Sequence, residues 1–315
     1  MNNFSKNIRL VIKIIFLMGA FYSVMPALGC ITMPSANSSK DSDIVDPIRT
    51  YFGNFEALAK SENWKEIIVQ GKIALEFARE NNRSQDEAKI CAQLASTAFY
   101  SGEYTQVLIY VNRCQELSKN LIDPSLFLRS LYLKSAVYRA FATKEKEEQT
   151  QQISFLRAIE TAEEAALIYT KKNINNINLQ GKIYFNLGAA HADNPKGDLE
   201  KAAHCYFIAL ECFKKANAID DCIRTNIRLG KIYLLQKQYD LSQQIIDEVR
   251  SQISNERLAM HADYLEAQLK LAINDIERAR GIAENGLVRA EALGSKEDAL
   301  RLSRLLRTIQ THAEI

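Results

Sequence analysis

Residues 186–211, NLGAAHADNPKGDLEKAAHCYFIALE, decide the fold of this chain. Leu187-Gly188 lies in a helical pattern, which stops at the Asn-Pro-Lys-Gly sequence 194–197 and resumes with Ala202 and Ala209. A glycine inside an exposed helix costs about 1 kcal/mol relative to alanine, so the glycine indicates a point where another helix comes close. We predict a helix–turn–helix unit in which the two alanines receive the first helix at that point.

This pattern recurs along the chain. Six times, a large apolar residue is followed ten positions later by a mostly small one, and successive pairs are 40, 52, 43, 40 and 37 residues apart. The pairs are Trp64/Ala74, Tyr104/Cys114, Leu156/Ala166, Leu199/Ala209, Tyr239/Val249 and Ile276/Gly286. The alternation typical of strands is absent from Pro47 onward, and the three prolines there lie where the helical periodicity breaks. The sequence predicts an all-α chain.

These units resemble the tetratricopeptide repeat family, which carries a bulky–small doublet, an aromatic residue after a turn glycine, and a spaced alanine pair. The segments that carry the resemblance are residues 187–210, LGAAHADNPKGDLEKAAHCYFIAL, 94–111, LASTAFYSGEYTQVLIYV, and 229–244, LGKIYLLQKQYDLSQQ. The resemblance implies an α-solenoid of about six helix pairs over residues 47–292. A capping helix over residues 293–315 is expected to cover the last pair.

The units depart from the family in length, since its repeats have about 34 residues. The third unit carries a charged insertion, FATKEKEEQTQQ, residues 141–152, between its helices. We expect this insertion to extend both helices or to form a solvated loop.

Residues 1–30 have the pattern of an export signal, in which a basic start precedes an apolar run. The run from 14 to 28 is fifteen residues long, whereas a membrane-spanning helix needs about 20. Its end, Ala-Leu-Gly-Cys30, resembles the lipobox of bacterial lipoproteins and implies lipidation of Cys30. Residues 31–46 are rich in Ser and Asn and are expected to form a flexible tether. An ordinary cleaved signal and a short uncleaved anchor remain alternatives.

Composition and motifs exclude several classes of function. Without the first thirty residues the chain has 37 basic and 38 acidic side chains, with no clustered positive charge for non-specific nucleic-acid binding. The common hydrolase and nucleotide motifs are absent, and the four histidines have no metal-ligand spacing. We expect no enzyme activity, no cofactor and no metal. We also expect the five cysteines from Cys91 to Cys222 to be buried thiols.

One group of basic residues is a candidate binding site. Arg224, Arg228 and Lys231 are spaced i, i+4, i+7 on one helix face, and Lys182 and Asn186 occupy equivalent places one unit earlier. Stacked repeats would place all five in the inner groove. The carboxylate-clamp co-chaperones of the repeat family hold a peptide carboxylate at such places, although the full clamp is absent here. The alternative is that these cations solvate a surface or pair with neighbouring acids.

These observations predict a non-enzymatic scaffold or adaptor that binds a protein or peptide in its concave groove. We expect it to be exported and tethered to the bacterial cell envelope through a lipid anchor. One alternative is a cytoplasmic secretion chaperone or regulator with the same fold. Another is an enzyme whose site is formed by the repeat loops.

Overall fold

The computed structural model describes residues 46–313, and in this range the chain forms thirteen α-helices and no strand. The helices are α1 (Pro47–Lys60), α2 (Trp64–Glu80), α3 (Ser84–Tyr100), α4 (Tyr104–Ser118), α5 (Ser125–Ala142), α6 (Glu148–Lys171), α7 (Ile177–Asp193), α8 (Leu199–Lys215), α9 (Ile219–Leu235), α10 (Tyr239–Arg250), α11 (Glu256–Ala272), α12 (Ile276–Ala292) and α13 (Lys296–Ala313). They form six consecutive pairs followed by a single last helix. The predicted α-solenoid with a capping helix is therefore confirmed.

The apolar member of five of the six predicted pairs is the first residue of a second helix. These residues are Trp64, Tyr104, Leu199, Tyr239 and Ile276. The third pair is the exception, and its prediction was wrong by one position. Leu156 is 47% exposed, whereas its neighbour Phe155 and the residue ten positions later, Ala165, are buried. Because α6 begins eight residues before Leu156, no turn next to the pair indicates which apolar residue faces the core.

The charged insertion of the third unit lengthens mainly the second helix, α6, which has 24 residues, whereas α5 has 18. α5 continues to Ala142, α6 begins at Glu148, and only five residues, 143–147, connect them.

The first helices of the second to sixth pairs form an inner wall together with α13. Among the described helices, α3, α5, α7, α9 and α11 each contact the next member of the series that ends with α13. The second helices pack substantially only on the helices before and after them in the chain. Because adjacent first helices are closer together than adjacent second helices, the stack curves, and the first helices line its concave face.

Small residues allow the two helices of a unit to cross closely. A Cβ atom at Gly188 would lie 3.0 Å from the carbonyl oxygen of Ala202. Two serines form hydrogen bonds at equivalent crossings. The Ser135 hydroxyl donates to the Ala158 carbonyl at 2.6 Å, and the Ser242 hydroxyl donates to the Gly230 carbonyl at 3.0 Å. The close approach predicted from the Leu-Gly doublets is confirmed at Gly188 and Gly230.

Replacing Gly188 by alanine should lower the free energy of unfolding by about 1–2 kcal/mol, although alanine favours helix more than glycine does. The added methyl group presses on a backbone carbonyl that cannot rotate away, and overpacking typically costs about 1–3 kcal/mol. Gly281→Ala in α12 is the matched control, since its Cβ atom would meet nothing within 4 Å. That change should stabilise by up to about 1 kcal/mol. Urea unfolding curves of the two variants should shift in opposite directions, and equal shifts would contradict a tight crossing at Gly188.

The five cysteines of the described range are free thiols. Cys91, Cys114, Cys205 and Cys212 are buried and Cys222 is half-buried, which confirms that they pack as small apolar residues. Burial raises the pKa of Cys91 to about 12 and that of Cys114 to about 11. Since the thiolate is the reactive form, these thiols should be inert in the folded protein.

Unfolding without reductant should therefore release five thiols from residues 46–313, whereas the native protein should react slowly. A colorimetric thiol titration before and after addition of guanidinium chloride measures both values. Fewer than five thiols from this range would mean that some cysteines are paired.

The predicted export signal (1–30), tether (31–46) and lipidation of Cys30 lie outside the described residues or at their edge. Within residues 46–313, none of the helices combines the length and apolarity needed to cross a bilayer.

Candidate functional site

A carboxylate on the inner wall is surrounded by three cations. Asp193 accepts hydrogen bonds at Oδ1 from Arg228 Nη1 at 3.0 Å and from Lys231 Nζ at 3.1 Å. Its Oδ2 atom accepts one from Arg139 Nη1 at 2.5 Å. The Asp193 side chain is only 5% exposed. We call these four residues the Asp193 cluster.

Three adjacent inner helices bring this cluster together. Arg139 lies in the last turn of α5, Asp193 is the last residue of α7, and Arg228 and Lys231 lie in the middle of α9. Lysine and arginine three residues apart on one helix project from the same face, so both reach the same carboxylate. The turn 194–197 ends α7 at the point where its last side chain faces the groove.

The cluster carries a net charge of +2, since three cations surround one carboxylate. Burial raises the pKa of Asp193, but the charges of Arg228, Lys231 and Arg139 outweigh this effect and hold the pKa well below its usual value. Asp193 is therefore ionised at neutral pH. Its attraction raises the pKa of Lys231, but burial and repulsion from Arg228 outweigh that contribution and lower the pKa.

The cations retain donors for a second anion. Arg228 and Arg139 each bind Asp193 through Nη1 only, and a guanidinium carries five N–H donors. Arg228 is 21% exposed and Lys231 is 27% exposed, so solvent in the groove reaches both. An anion that enters the groove could accept hydrogen bonds from these side chains without displacing Asp193.

The five residues predicted from the sequence have different surroundings. Arg228 and Lys231 meet at Asp193, whereas Arg224 forms an ion pair at 2.8 Å with Asp221 of its own helix. The Asn186 amide donates to the Lys182 carbonyl at 2.9 Å. Pairing with neighbouring acids, the alternative stated above, thus describes three of the four cations. In residues 46–313 the Lys182 ammonium forms no ion pair.

Sequence reasoning missed Arg139 and Asp193. Asp193 lies five residues after Gly188, but its role depends on where the turn ends α7. Arg139 lies four residues after Ser135, which takes the place of the glycine at the third crossing. Since that unit has no Leu-Gly doublet, its register could not be fixed, and Arg139 could not be aligned with the other inner residues.

The last helices also contribute to the inner face. Burial lowers the pKa of His261 on α11 to about 4, and the nearby charges of Arg224 and Arg228 lower it further, while Asp298 on α13 opposes them. His261 is therefore neutral at neutral pH. The α13 helix places an acidic residue next to the basic inner wall.

Ion pairs connect units that are distant in the sequence. Arg257 at the start of α11 binds Glu62, in the turn between α1 and α2, through two hydrogen bonds of 2.9 and 2.6 Å. Lys144 forms an ion pair with Glu297 of α13 and lies over the ring of Tyr104, 4.7 Å from its centroid. The inner wall therefore curves until its first and last units face each other.

In residues 46–313, no three His, Cys, Asp or Glu side chains are grouped so that they could hold a metal ion. Of the histidines, His191 is buried in α7.

No family model matches the sequence, and no curated protein matches it either. The fold is similar to several solved structures. BtubC (BKLC) from P. vanneervenii has a TM-score of 0.53 and 16% identity, over 74% of this chain and 92% of that one. The apo form of RapI has a TM-score of 0.56 and 13% identity, over 85% and 98%. A Rap protein complexed with Competence and Sporulation Factor has a TM-score of 0.53 and 13% identity, over 84% and 75%.

These identities are low, so the similarity concerns the fold. The chain has the fold of a tetratricopeptide-repeat α-solenoid, as the resemblance of its repeats implied.

Proposed function

We propose that this protein is a non-enzymatic receptor that holds an acidic peptide segment of a partner protein against its inner wall. The observation that carries the proposal is the Asp193 cluster, which combines a net positive charge, free guanidinium donors and access from the groove. Arginine binds carboxylates with paired, charge-assisted hydrogen bonds, and such bonds are stronger than neutral ones. The chain's own carboxylate already shows that these cations converge on one anion.

The five predicted residues take different parts in this proposal. Arg228 and Lys231 bind the peptide carboxylate together with Arg139, and Lys182 and Arg224 extend the basic surface along the wall. Asn186 would have to release the Lys182 carbonyl before it could bind a ligand. The similar solenoid of the Rap protein, complexed with Competence and Sporulation Factor, supports ligand binding by this architecture.

A pair of labelled peptides tests the proposal. The probe is fluorescein-labelled GSEEGSGSEEGS, and the control is GSQQGSGSQQGS, which has the same shape and no side-chain charge. Anisotropy titrations of the full chain should show at least about tenfold tighter binding of the acidic probe, because only carboxylates form charge-assisted hydrogen bonds. The preference should shrink as salt screens the charges. Equal binding of the two peptides would contradict the proposal.

The location of the receptor is also a proposal. We place it at the bacterial cell envelope, exported by residues 1–30 and anchored through a lipid on Cys30. Expression in bacteria with labelled palmitate should label the wild-type chain and leave Cys30→Ala unlabelled, and intact mass should show that residues 1–29 are absent. An unprocessed, unlabelled chain would contradict this placement. It would favour the alternative of a cytoplasmic secretion chaperone or regulator.

A further inference from the structure

The first helices of units two to six can be aligned by their crossing residues, which are the residues packed on the second helix of the same unit. Ser135, Gly188 and Gly230 occupy this place by the contacts described above. Ala95 packs in one core cluster with Val107, the fourth residue of α4. Ala267 likewise packs in one cluster with Ala279, the fourth residue of α12.

A basic residue lies six positions before every one of these five crossing residues. The five are Lys89, Arg129, Lys182, Arg224 and His261, and we call them the basic ladder. The chain has 44 basic residues among 315, counting 40 Lys and Arg and 4 His, so such a run is improbable by chance. The ladder crosses five consecutive helices of the inner wall.

Helix geometry places the ladder on the groove side. At about 100° per residue, a side chain six positions before the crossing residue points about 120° away from the second helix. By the same count Arg228 and Lys231 point about 160° and 100° away from Gly230. The ladder therefore shares its face with Arg228 and Lys231 of the Asp193 cluster.

Three members of the ladder have no carboxylate partner within residues 46–313. Lys89 and Lys182 form no ion pair, and Lys89 is exposed. Arg129 donates from Nη2 to the hydroxyl of Ser96 at 3.0 Å, while its Nε atom is buried without a partner. Only Arg224 is paired with an acid, Asp221. Within residues 46–313, Lys89, Arg129 and Lys182 thus form a row of three positive charges without a carboxylate partner, whereas Arg224 is paired and His261 is neutral at neutral pH.

The distance between neighbouring ladder residues matches the repeat of one peptide conformation. Packed helices are about 8–10 Å apart, so neighbouring ladder residues should be separated by a similar distance. A polyproline II helix has three residues per turn and rises about 3.1 Å per residue, so every third residue returns to the same face after about 9.3 Å. The four charged ladder positions, from Lys89 to Arg224, span roughly ten residues of such a peptide.

We infer that the basic ladder binds an acidic peptide in the polyproline II conformation, with Asp or Glu at every third position. The inference rests on the proposed function and adds the spacing and the conformation of the ligand. The peptide lies across the first helices, so successive carboxylates face successive units.

Two peptides of identical composition test the spacing. Labelled EPPEPPEPPEPP places its acids at every third position, whereas EEEEPPPPPPPP places them together. The first should bind the full chain about tenfold more tightly, since only its carboxylates reach several ladder positions at once. Equal affinities, or tighter binding of labelled twelve-residue oligo-dT than of either peptide, would overturn the inference.

A triple variant tests the residues. Lys89→Gln, Arg129→Gln and Lys182→Gln together should weaken EPPEPPEPPEPP binding about tenfold. The matched control replaces three exposed lysines of second helices, Lys65, Lys72 and Lys201, by glutamine and should leave binding within about twofold. If partly buried Arg129 proves necessary for folding, the double variant of Lys89 and Lys182 should weaken binding about threefold.

The outcomes distinguish failure of the ladder inference from failure of the proposed receptor function. If the ladder variants bind like wild type while Arg228→Gln with Lys231→Gln loses GSEEGSGSEEGS, the ladder is overturned and the receptor function stands. If neither set of variants changes the binding of any acidic peptide, both proposals are overturned.

Discussion

Replacement of Asp193 by asparagine should lower the free energy of unfolding by about 3–5 kcal/mol, the typical cost of removing one partner from a buried ion pair. Asparagine keeps the size of the side chain, so the change removes charge rather than packing. Arg139, Arg228 and Lys231 would then face one another across the cluster without a counter-charge. Urea unfolding at pH 7 measures the loss.

The stability lost in Asp193→Asn should depend on pH. Because the pKa of Asp193 is lower in the folded protein than in the unfolded chain, its contribution to stability is complete above the ordinary aspartate pKa of about 4. The contribution disappears as the pH falls through the lower, folded-state pKa. The stability gap between wild type and Asp193→Asn should therefore be constant from pH 7 to about pH 5 and shrink below about pH 4.

Asp221→Asn is the matched control. Its carboxylate binds Arg224 three residues away on the same helix, and both side chains are partly exposed. This change should lower the free energy of unfolding by less than about 1 kcal/mol, since exposed pairs within a helix contribute little. If Asp193→Asn cost no more than the control, the cluster would not be the buried, coupled group described above.

The double variant Arg228→Gln with Lys231→Gln should weaken binding of the GSEEGSGSEEGS probe by at least about 100-fold. Each charge-assisted hydrogen bond contributes about 1.5–3 kcal/mol, and the variant removes two cations that converge on the anion. Glutamine retains an N–H group that can donate to Asp193, so the buried carboxylate keeps a partner. Anisotropy titrations below the melting temperature of the variant measure the effect.

Its control is Lys214→Gln with Lys215→Gln at the end of α8, where both side chains are exposed. This pair removes the same charge from the chain outside the inner wall. Its affinity for the probe should stay within about threefold of wild type, since long-range attraction between exposed charges is screened by salt. Equal losses in the two double variants would mean that the probe responds only to net charge.

The helix order and the inner face could be predicted from local patterns. Gly188 and Gly230 fixed the crossings of two units, and the residues that begin five of the six second helices are large and apolar. Leu156 shows the limit of this reasoning, because Phe155/Ala165 and Leu156/Ala166 have the same ten-residue spacing and lie in a helix that begins far upstream. In the other units a turn directly precedes the second helix and shows which apolar residue begins it.

The Asp193 cluster could be predicted only in part. The spacing of Arg228 and Lys231 placed them on one face, but helical spacing does not show which acid they face. Arg139 and Asp193 lie 54 positions apart, and their contact depends on the curvature of the stack. Curvature arises from the packing of every inner helix on the next, so a local sequence pattern does not predict it.

The most direct test of the receptor proposal is to map where the acidic peptide lies. GSEEGSGSEEGS with benzoylphenylalanine in place of one central glycine would be irradiated with the full chain, and cross-linked residues identified by mass spectrometry. The proposal predicts cross-links on the groove side of α5, α7 and α9, and their loss with Arg228→Gln plus Lys231→Gln. Cross-links confined to the outer faces of α2, α4, α6, α8, α10 or α12 would contradict it.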